Sequence, residues 1–393
     1  MFGSLFIGLS GMNAYSNGLR QVSNNITNLN STGYRASDVG FSDLFRGGSR
    51  GMNFVDGSTS QGSGVALANA RIDFSEGEIR QSDRDLDLAV EGDGFLVLER
   101  DGQFSYARTG SFEVNDEGFV VLSGTDYKLT YVDEAGQPQA IEITDYRTSR
   151  PQATTEIVFS DNLSSTADDH TISNVTAYNS EGEAISLTLR FARDTDAITN
   201  SWTVTVENSD GDTIGEAQDL EFIAGALEGG ETRLSIEDED SKLDFELVFD
   251  ENVTSFSSGS ISTLRASDVD GFAIGEITTI RVNEEGAMEL TYSNGETEEI
   301  GDVTLAAFQN LQDLQQTSGG IFTYDNVGGR EFLTSDSERV GQVLSNRIEA
   351  SNVNLSDEFG DLILVQRGYQ ASSQVVSVSN DMIQQLFGIR GQG

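Results

Sequence analysis

The stretch VSNNITNLNSTGYRASDVGFSDLF, residues 22–45, decides how this chain is read, because it combines a helical apolar repeat with a high density of amides. From Leu5 into this stretch, apolar residues recur every seven positions, and a second set follows three residues later. A 3-4 apolar repeat is typical of a helix that presents a narrow seam to a partner helix. The first set consists of Leu5, Met12, Leu19 and Ile26, and the second of Tyr15, Val22 and Leu29.

The C-terminal end carries a matching repeat. Asn354 or Ser356 is expected to cap this helix, and Asp357 and Glu358 in its first turn complement the helix dipole. We therefore predict amphipathic helices of about 25–30 residues at both ends of the chain, each roughly 40 Å long, and we expect them to pair as an antiparallel coiled coil. The C-terminal repeat consists of Leu355, Leu362, Tyr369, Val376 and Ile383.

The remaining faces of both helices are rich in small and amide side chains. Solvent-facing helices ordinarily carry Glu and Lys instead. Either the two helices pair only with each other, or their other faces also pack against neighbouring copies of the chain; the small residues favour the second explanation. These residues are Ser10, Gly11, Asn13, Ser16, Asn17 and Gly18 at one end and Ser372, Ser373, Ser377, Ser379 and Asn380 at the other.

The composition excludes several classes of function. The 393 residues include 23 basic and 65 acidic side chains, a net charge of −42, which argues against nucleic acid or an anionic membrane as a partner. There is no Cys and one His, His170, so thiolate sites and His-based triads are not expected. We predict no catalytic residues, no cofactor and no metal, and a chain that is not an enzyme.

The N-terminal sequence does not have the pattern of a cleavable secretory signal. It lacks a basic n-region, and Ser, Gly and Asn interrupt its apolar residues. No apolar run is long enough to cross a bilayer. If the protein leaves the cell, we expect export without cleavage of a leader.

Between the two ends the apolar period changes to two. Alternation marks the segments DLDLAV, AISLTLRF, SWTVTV and KLDFELVF, and turn signals such as NSEG and NSDG separate such segments. This pattern is typical of antiparallel hairpins in half-exposed sheets. We therefore predict a multi-domain chain in which terminal helices accompany mainly antiparallel all-β domains. The segments 127–151 and 255–275 are expected to be the points where one β-domain is inserted into another.

Three motifs resemble the signatures of the bacterial flagellar rod and hook family. The first is residues 22–45, the second is LDLAVEGDGFLVL with YARTGSFEVNDEGFVV, and the third is IEASNVNLSDEFGDLILVQRGYQASSQVVSVSNDMIQQLF. The residues that carry the resemblance are Asn24, Asn25, Asn28, Thr32, Gly33, Tyr34, Gly92, Gly94, Phe95, Arg108, Gly110, Ser351, Asn352, Val353, Gln366, Arg367 and Tyr369.

This resemblance implies a domain plan in which each domain is built from both halves of the chain. The long segment between the halves of the first β-domain favours the hook members of the family over the shorter rod members. The expected domains are 1–32 with 354–393 as the helical domain lining a channel, 33–70 as a Gly/Ser-rich connection, 71–145 with 276–353 as the inner β-domain, and 146–275 as the inserted outer β-domain.

The resemblance also implies a function. It predicts a structural subunit, exported by the flagellar type III apparatus, that polymerises into a curved tube transmitting motor torque from rod to filament. The implied partners are other copies of the chain, the distal rod protein, the hook cap, the hook–filament junction proteins and the export apparatus. The implied location is the extracellular hook and basal body of the flagellum.

Three alternatives remain open at this point. The most distant is an acidic hydrolase that uses two carboxylates, which no constellation among the 65 acidic residues favours. Of the other two, the nearer one is a rod or hook-associated junction protein of the same family; the more distant one is a β-rich surface adhesin. The segment 46–69 also has two interpretations, a flexible spacer or an ordered packing element.

Overall fold

The computed structural model describes residues 2–45, 62–68, 70–194, 200–227, 229–326, 328–335, 337 and 339–390. The chain forms two compact units. Unit 1 comprises Met1–Thr144, Ile280–Glu289 and Glu299–Gly393, and unit 2 comprises Asp145–Thr279 and Leu290–Glu298. Each unit therefore draws on separate stretches of the sequence.

Unit 1 contains two long helices, α1 (Phe2–Thr27) and α2 (Leu355–Arg390). The side chain of Asn354 caps α2, because its Oδ1 accepts a hydrogen bond from the backbone N–H of Ser356 at 3.0 Å. The first turn of α2 carries Asp357 and Glu358. Acidic side chains are stabilised at this position by the positive end of the helix dipole.

A twelve-stranded sheet forms the β-part of unit 1. The alternation DLDLAV suggested a half-exposed strand, but residues 87–90 are all buried. The reason is that this strand is covered on both faces, so alternation in its sequence does not correspond to alternation in burial. The strands are Asp87–Glu91, Phe95–Arg100, Gln103–Ala107, Thr109–Val114, Val120–Leu122, Lys128–Val132, Pro138–Ala140, Leu305–Phe308, Gln315–Gln316, Ile321–Thr323, Arg330–Leu333 and Gln342–Ser345.

Smaller β-ladders lie outside the main sheets. Three are two-stranded, pairing Ser37–Asp38 with Arg71–Ile72, Phe41–Phe45 with Gly62–Leu67, and Ile79–Gln81 with Arg347–Glu349. A four-stranded sheet contains Thr148–Ser149, Gly275–Val282, Ala287–Tyr292 and Thr297–Asp302, and short 3-10 helices occur at Thr144–Tyr146, Leu311–Asp313 and Ser318–Gly320.

Unit 2 contains two further sheets, one of four strands and one of five. One pair of neighbours is parallel, Glu156–Asn162 beside Leu243–Thr254, and the other pairings in these sheets are antiparallel. The strands are Thr232–Asp238, Leu243–Thr254, Glu156–Asn162 and Arg265–Val269 in one sheet, and Asp169–Tyr178, Ala184–Arg193, Asn200–Glu207, Thr213–Ile223 and Ala226–Leu227 in the other.

The core of unit 2 is built by the alternating residues of both sheets. Leu187, Leu189 and Phe191 point inward from one strand, and the ring of Phe249 stacks on that of Phe159 with centroids 4.7 Å apart. Trp202, the one tryptophan of the sequence, is fully buried in the same cluster. Its fluorescence therefore reports the folding of unit 2.

The two units divide the chain more coarsely than the expected domain ranges do. The range 146–275 lies inside unit 2, whereas the terminal helices and the twelve-stranded sheet lie together in unit 1. Residues 46–61 and 69 of the expected connection lie outside the described residues. Its described part includes the strand Gly62–Leu67, which packs on α1 through a hydrogen bond from Val65 N–H to Ser10 Oγ.

The aromatic stack gives the first prediction. Phe249→Ala should lower the free energy of unfolding of unit 2 by about 3–5 kcal/mol, because it removes a buried ring and leaves a cavity. Urea titration followed by Trp202 fluorescence measures this loss. Phe249→Leu keeps most of the buried volume and should cost clearly less; equal losses for the two variants would contradict the role of the stacked ring.

Candidate functional site

The two terminal helices lie antiparallel with their backbones close together. A Cβ atom placed on Gly8 would lie 2.7 Å from Cγ2 of Val376, and one on Gly368 would lie 2.4 Å from the ring of Tyr15. Each glycine therefore receives a side chain of the other helix, and a larger residue would force the helices apart. The positions of α1 along this seam are spaced alternately by three and four residues: Gly8, Gly11, Tyr15, Gly18, Val22 and Asn25.

Some of the predicted seam residues lie in this seam and others lie beside it. Tyr15 and Val22 of the second apolar set lie in the seam. Each residue of the first set comes one position after a small or amide residue, at positions 4, 11, 18 and 25. In α1, Leu5, Met12 and Ile26 are half-buried and Leu19 is exposed; in α2, Leu362, Val376 and Ile383 are half-buried, and Leu355 and Tyr369 are exposed.

Large apolar side chains remain exposed on both helices. Phe6 is 65% exposed, and Ile363 and Leu364 are each 59% exposed. These helices also carry little charge, since Arg20 is the one charged residue of α1 and Arg367 the one charged residue between positions 362 and 380. An exposed apolar surface without charge is typical of a protein interaction site. We call it the helix surface: Phe6, Ile7, Leu9, Leu19, Phe359, Ile363, Leu364, Tyr369, Val375, Val378 and Met382.

Asn25 joins the helix pair to the β-part of unit 1. Its Nδ2 donates to Glu358 Oε1 at 2.7 Å and to the carbonyl of Ser37 at 3.1 Å. Its Oδ1 accepts from the hydroxyl of Tyr34 at 3.1 Å and from the backbone N–H of Ser37 at 3.2 Å. This buried amide is therefore saturated by four bonds, which fix the end of α1 against the start of α2.

A buried ion pair lies next to this junction. Arg35 Nη2 and Glu349 Oε1 are 2.7 Å apart, and both side chains are fully buried. Arg108 Nε lies 3.5 Å from Glu349 Oε2, and the backbone N–H of Gly77 donates to Glu349 Oε1 at 2.7 Å. One carboxylate thus holds two guanidinium groups from distant parts of the sequence.

Asn352 makes a second polar link between the two ends of the chain. Its Oδ1 accepts from the N–H of Ala36 at 2.7 Å, and its Nδ2 donates to the carbonyls of Asp73 and Ser75 at 2.9 and 3.0 Å. The C-terminal signature therefore binds the segment that follows α1.

Signature glycines serve close contacts of the backbone. Gly33 has φ +68° and donates its N–H to the carbonyl of Glu349 at 2.9 Å. A Cβ on Gly94 would lie 2.6 Å from the carbonyl oxygen of Val340, so the two segments could not approach this closely with a larger residue at position 94.

The other signature residues are dispersed. Gly92 has φ +121°, Phe95, Gly110 and Val353 are buried, Asn28 and Ser351 are half-buried, and Asn24, Thr32, Gln366, Arg367 and Tyr369 are exposed. The structure therefore brings together Asn25, Gly33, Tyr34, Arg108 and Asn352 and leaves the exposed group outside the junction.

Sequence reasoning missed Glu349, the burial of Glu358 and two glycines of this site. Glu349 and Glu358 are partners of the signature residues Arg108 and Asn25, but the sequence assigned Glu358 only to the first turn of the helix and gave no sign of Glu349 among 65 acidic residues. Gly8 and Gly368 could be found only from the seven-residue spacing, because a glycine does not stand out as apolar in a hydropathy pattern.

Burial changes the acid–base behaviour of this junction. Burial raises the pKa of Glu358, and the nearby Asp361, Asp38 and Asp357 raise it further, although the hydrogen bond from Asn25 acts in the opposite direction. Burial also lowers the pKa of Arg108, and the charge of Glu349 opposes this change.

The described residues contain no cluster of His, Cys, Asp and Glu side chains suited to a metal ion. Among the helices in the described part of the chain, none is long and apolar enough to cross a membrane.

Comparison with known proteins agrees with these features. Residues 344–389, which include α2 and the strand carrying Glu349, match the family model described as the flagellar basal body rod FlgEFG protein C-terminal. The flagellar hook protein FlgE of Escherichia coli K12 is 26% identical, with 97% of this chain and 98% of that protein covered. The resemblance to the flagellar rod and hook family is confirmed.

Other hook proteins match over similar lengths. The FlgE protein of Salmonella typhimurium is 27% identical with 97% and 98% of the two chains covered, and that of Borreliella burgdorferi is 24% identical with 98% and 99% covered. The crystal structure of the Helicobacter pylori flagellar hook protein FlgE2 has a TM-score of 0.49 and 13% identity, covering 69% of this chain and 99% of that one.

The buried ion pair gives the second prediction. Glu349→Gln should lower the free energy of unfolding by about 3–5 kcal/mol, because it leaves the buried Arg35 without a counter-charge and leaves Arg108 with Glu76 alone. Denaturation followed by circular dichroism measures the change. Glu78→Gln removes the same charge from an exposed pair with Arg80 and should cost less than about 1 kcal/mol; similar losses in both variants would disprove the special role of Glu349.

Glu358 gives a prediction for pH. Since its pKa is raised in the folded state, the protonated carboxyl is favoured there; the resulting stability is present below the ordinary pKa near 4.5 and is lost as the pH rises through the folded pKa. Unit 1 of the wild type should therefore become more stable, relative to Glu358→Gln, as the pH falls toward 5. Thermal melts of both proteins across this pH range measure the difference in stability between them. If the pKa of Glu358 were the same in the folded and unfolded states, this difference would not change with pH.

Proposed function

We propose that this protein is the structural subunit of a bacterial flagellar hook, a curved and flexible tube that transmits motor torque from the rod to the filament. The observation that carries the proposal is the uncharged helix surface in a chain of net charge −42. Like charges repel copies of the chain from one another, so stable association needs a surface that lacks charge and gains from burial. The near-complete coverage of hook proteins by this chain supports the same conclusion.

The terminal helices are the assembly elements of this proposal. Their antiparallel, alternately spaced seam acts as a two-stranded coiled coil, and the helix surface packs against neighbouring copies along the channel of the tube. The two β-rich units then form the body of each subunit, nested so that both halves of the chain contribute to each domain.

The location and the other partners follow from the hook assignment. The subunit is exported by the flagellar type III apparatus without a cleaved leader, and it assembles outside the cell. It contacts the distal rod protein, the hook cap and the hook–filament junction proteins, and its role is structural rather than enzymatic.

The length favours a hook subunit over the nearer alternative, a rod or junction protein. The chain covers 98% of hook proteins from two bacteria and is itself covered to 97%. Unit 2 supplies a well-packed β-domain, of a size that fits the inserted domain expected of hook members. A β-rich adhesin would not need the helix surface.

Electron microscopy of the purified full-length chain tests the proposal. The wild type should form curved tubes, whereas Ile363→Ser with Leu364→Ser should raise the critical concentration for assembly at least about ten-fold. Each lost side chain removes about 1.5–3 kcal/mol of burial, and 1.4 kcal/mol corresponds to a factor of ten.

A matched control separates lost apolar area from misfolding. Ile363→Leu with Leu364→Met keeps the apolar surface and should assemble as the wild type does. Trp202 fluorescence should show folded unit 2 in all three proteins. The proposal fails if the serine variant assembles at the wild-type concentration, or if the wild type forms no tubes.

A further inference from the structure

The sequence contains two Asn–Gly pairs, Asn17–Gly18 and Asn294–Gly295. The backbone nitrogen of a glycine is the least shielded in a protein, because glycine has no Cβ, and it can attack the side-chain amide of a preceding Asn. Asn17–Gly18 lies within the helix α1. Asn294–Gly295 lies in the turn that joins the strands Ala287–Tyr292 and Thr297–Asp302, where Gly295 has φ +88°.

The side-chain amide of Asn294 is held by three hydrogen bonds. Its Nδ2 donates to Ser149 Oγ and to the carbonyl of Ala273, both at 2.9 Å. Its Oδ1 accepts from the backbone N–H of Glu296 at 3.1 Å. Both donors of the amide are therefore used. Asn294 thus ties the turn to two segments of unit 2 that are 145 and 21 positions away in the sequence.

The backbone nitrogen of Gly295 is also held in place. Its N–H donates to the carbonyl of Tyr292 at 3.0 Å, and the carbonyl of Glu296 accepts from the N–H of Tyr292 at 2.9 Å. Gly275 packs against the amide, since a Cβ atom placed there would lie 2.7 Å from Cγ of Asn294. Attack of the Gly295 nitrogen on this Cγ therefore requires that the turn open and that the amide leave its partners.

In the unfolded chain none of these bonds restrains the pair. We infer that Asn294–Gly295 is a site of spontaneous deamidation that the fold of unit 2 protects, so that Asp or isoaspartate at position 294 marks copies of the chain that have spent time unfolded. The co-reactant is water. The inference concerns a single copy of the chain, so it stands or falls independently of the hook proposal.

The reaction has two steps. The Gly295 nitrogen loses its proton and forms a bond with Cγ of Asn294, the Cγ–Nδ2 bond breaks, and Nδ2 leaves as ammonia with that proton. Water then adds to one of the two carbonyl groups of the resulting cyclic imide and opens the ring. Cleavage of the new Cγ–N bond gives Asp, and cleavage of the original peptide bond gives isoaspartate, in which the chain continues through Cγ.

Either product fits the folded turn less well than Asn does. A carboxylate has no hydrogen to donate, so it would face the carbonyl oxygen of Ala273 without a bond. Glu296 and Glu298 already place negative charge in and beside this turn, and like charges repel. Isoaspartate also adds a main-chain atom to a turn that the bond between Tyr292 and Glu296 closes. A deamidated copy therefore holds the segment 273–275 less firmly.

Peptide mass spectrometry of the purified full-length chain tests the protection. After incubation at neutral pH, deamidation at Asn294 should be at least about ten-fold slower in native buffer than in urea, because only the opened turn reacts. In urea, Asn17 is an internal reference and should react at a rate similar to that of Asn294. Equal rates at Asn294 in native buffer and in urea would overturn the inference, as would an Asn294 that stays unreactive in urea beside a reactive Asn17.

A serine variant tests whether the hydrogen bonds of the amide give the protection. Ser149→Ala removes the acceptor of one bond and should speed deamidation at Asn294 several-fold in native buffer, with no change in urea. Ser267→Ala is the matched control, because it removes a bond to the carbonyl of Val158, and should react as the wild type does. Trp202 fluorescence shows whether unit 2 is folded in both. The same native rate in the two folded variants would overturn the protection by these bonds.

A variant that mimics the product tests the consequence. Asn294→Asp should speed amide hydrogen exchange in residues 273–275 at least about ten-fold, because the segment opens more often. Asn208→Asp is the matched control, since Oδ1 of Asn208 accepts from the N–H groups of Asp210 and Asp212, both at 2.9 Å, and a carboxylate keeps these bonds. Exchange in residues 273–275 should stay at the wild-type rate in this control. Equal exchange in the two variants would contradict the weaker hold on this segment.

Discussion

The close contact of the two chain ends is the constraint on which the organisation of unit 1 depends. Gly8 and Gly368 bring the backbones of α1 and α2 together, with Val376 and Tyr15 filling the space that the glycines leave. Because the seam is so narrow, the larger apolar residues of both helices lie beside it or outside it. The narrow seam that pairs the helices therefore also leaves their large apolar side chains exposed on the helix surface.

The polar junction converts this pairing into a connection with the β-part of unit 1. Asn25, Glu349 and Asn352 each bond to segments that are far away in the sequence. Removing one partner of such a network leaves further buried polar groups unsatisfied, so the loss of one bond at the junction weakens the others.

The sequence was sufficient for the helices at both ends, for the alternating strands around Trp202 and for the family resemblance. It placed part of the helix seam one residue away from the small residues, because hydropathy marks Leu5 and Met12 while the contact is made by Gly8 and Gly11. It could not show that Glu349 and Glu358 are buried, since burial of an acidic residue depends on partners more than 300 positions away, such as Arg35 and Asn25. The parallel pairing of Glu156–Asn162 with Leu243–Thr254 is equally non-local, because other strands and their turns separate the two in the sequence and no single hairpin joins them.

The distribution of charge makes association of this chain selective. Because the net charge is −42, copies of the chain repel one another through their acidic faces. Faces without charge approach without this like-charge penalty. The helix surface is such a face, and its exposed apolar side chains gain free energy from burial. Association is therefore directed to the helices, while the acidic faces keep other encounters between copies unfavourable.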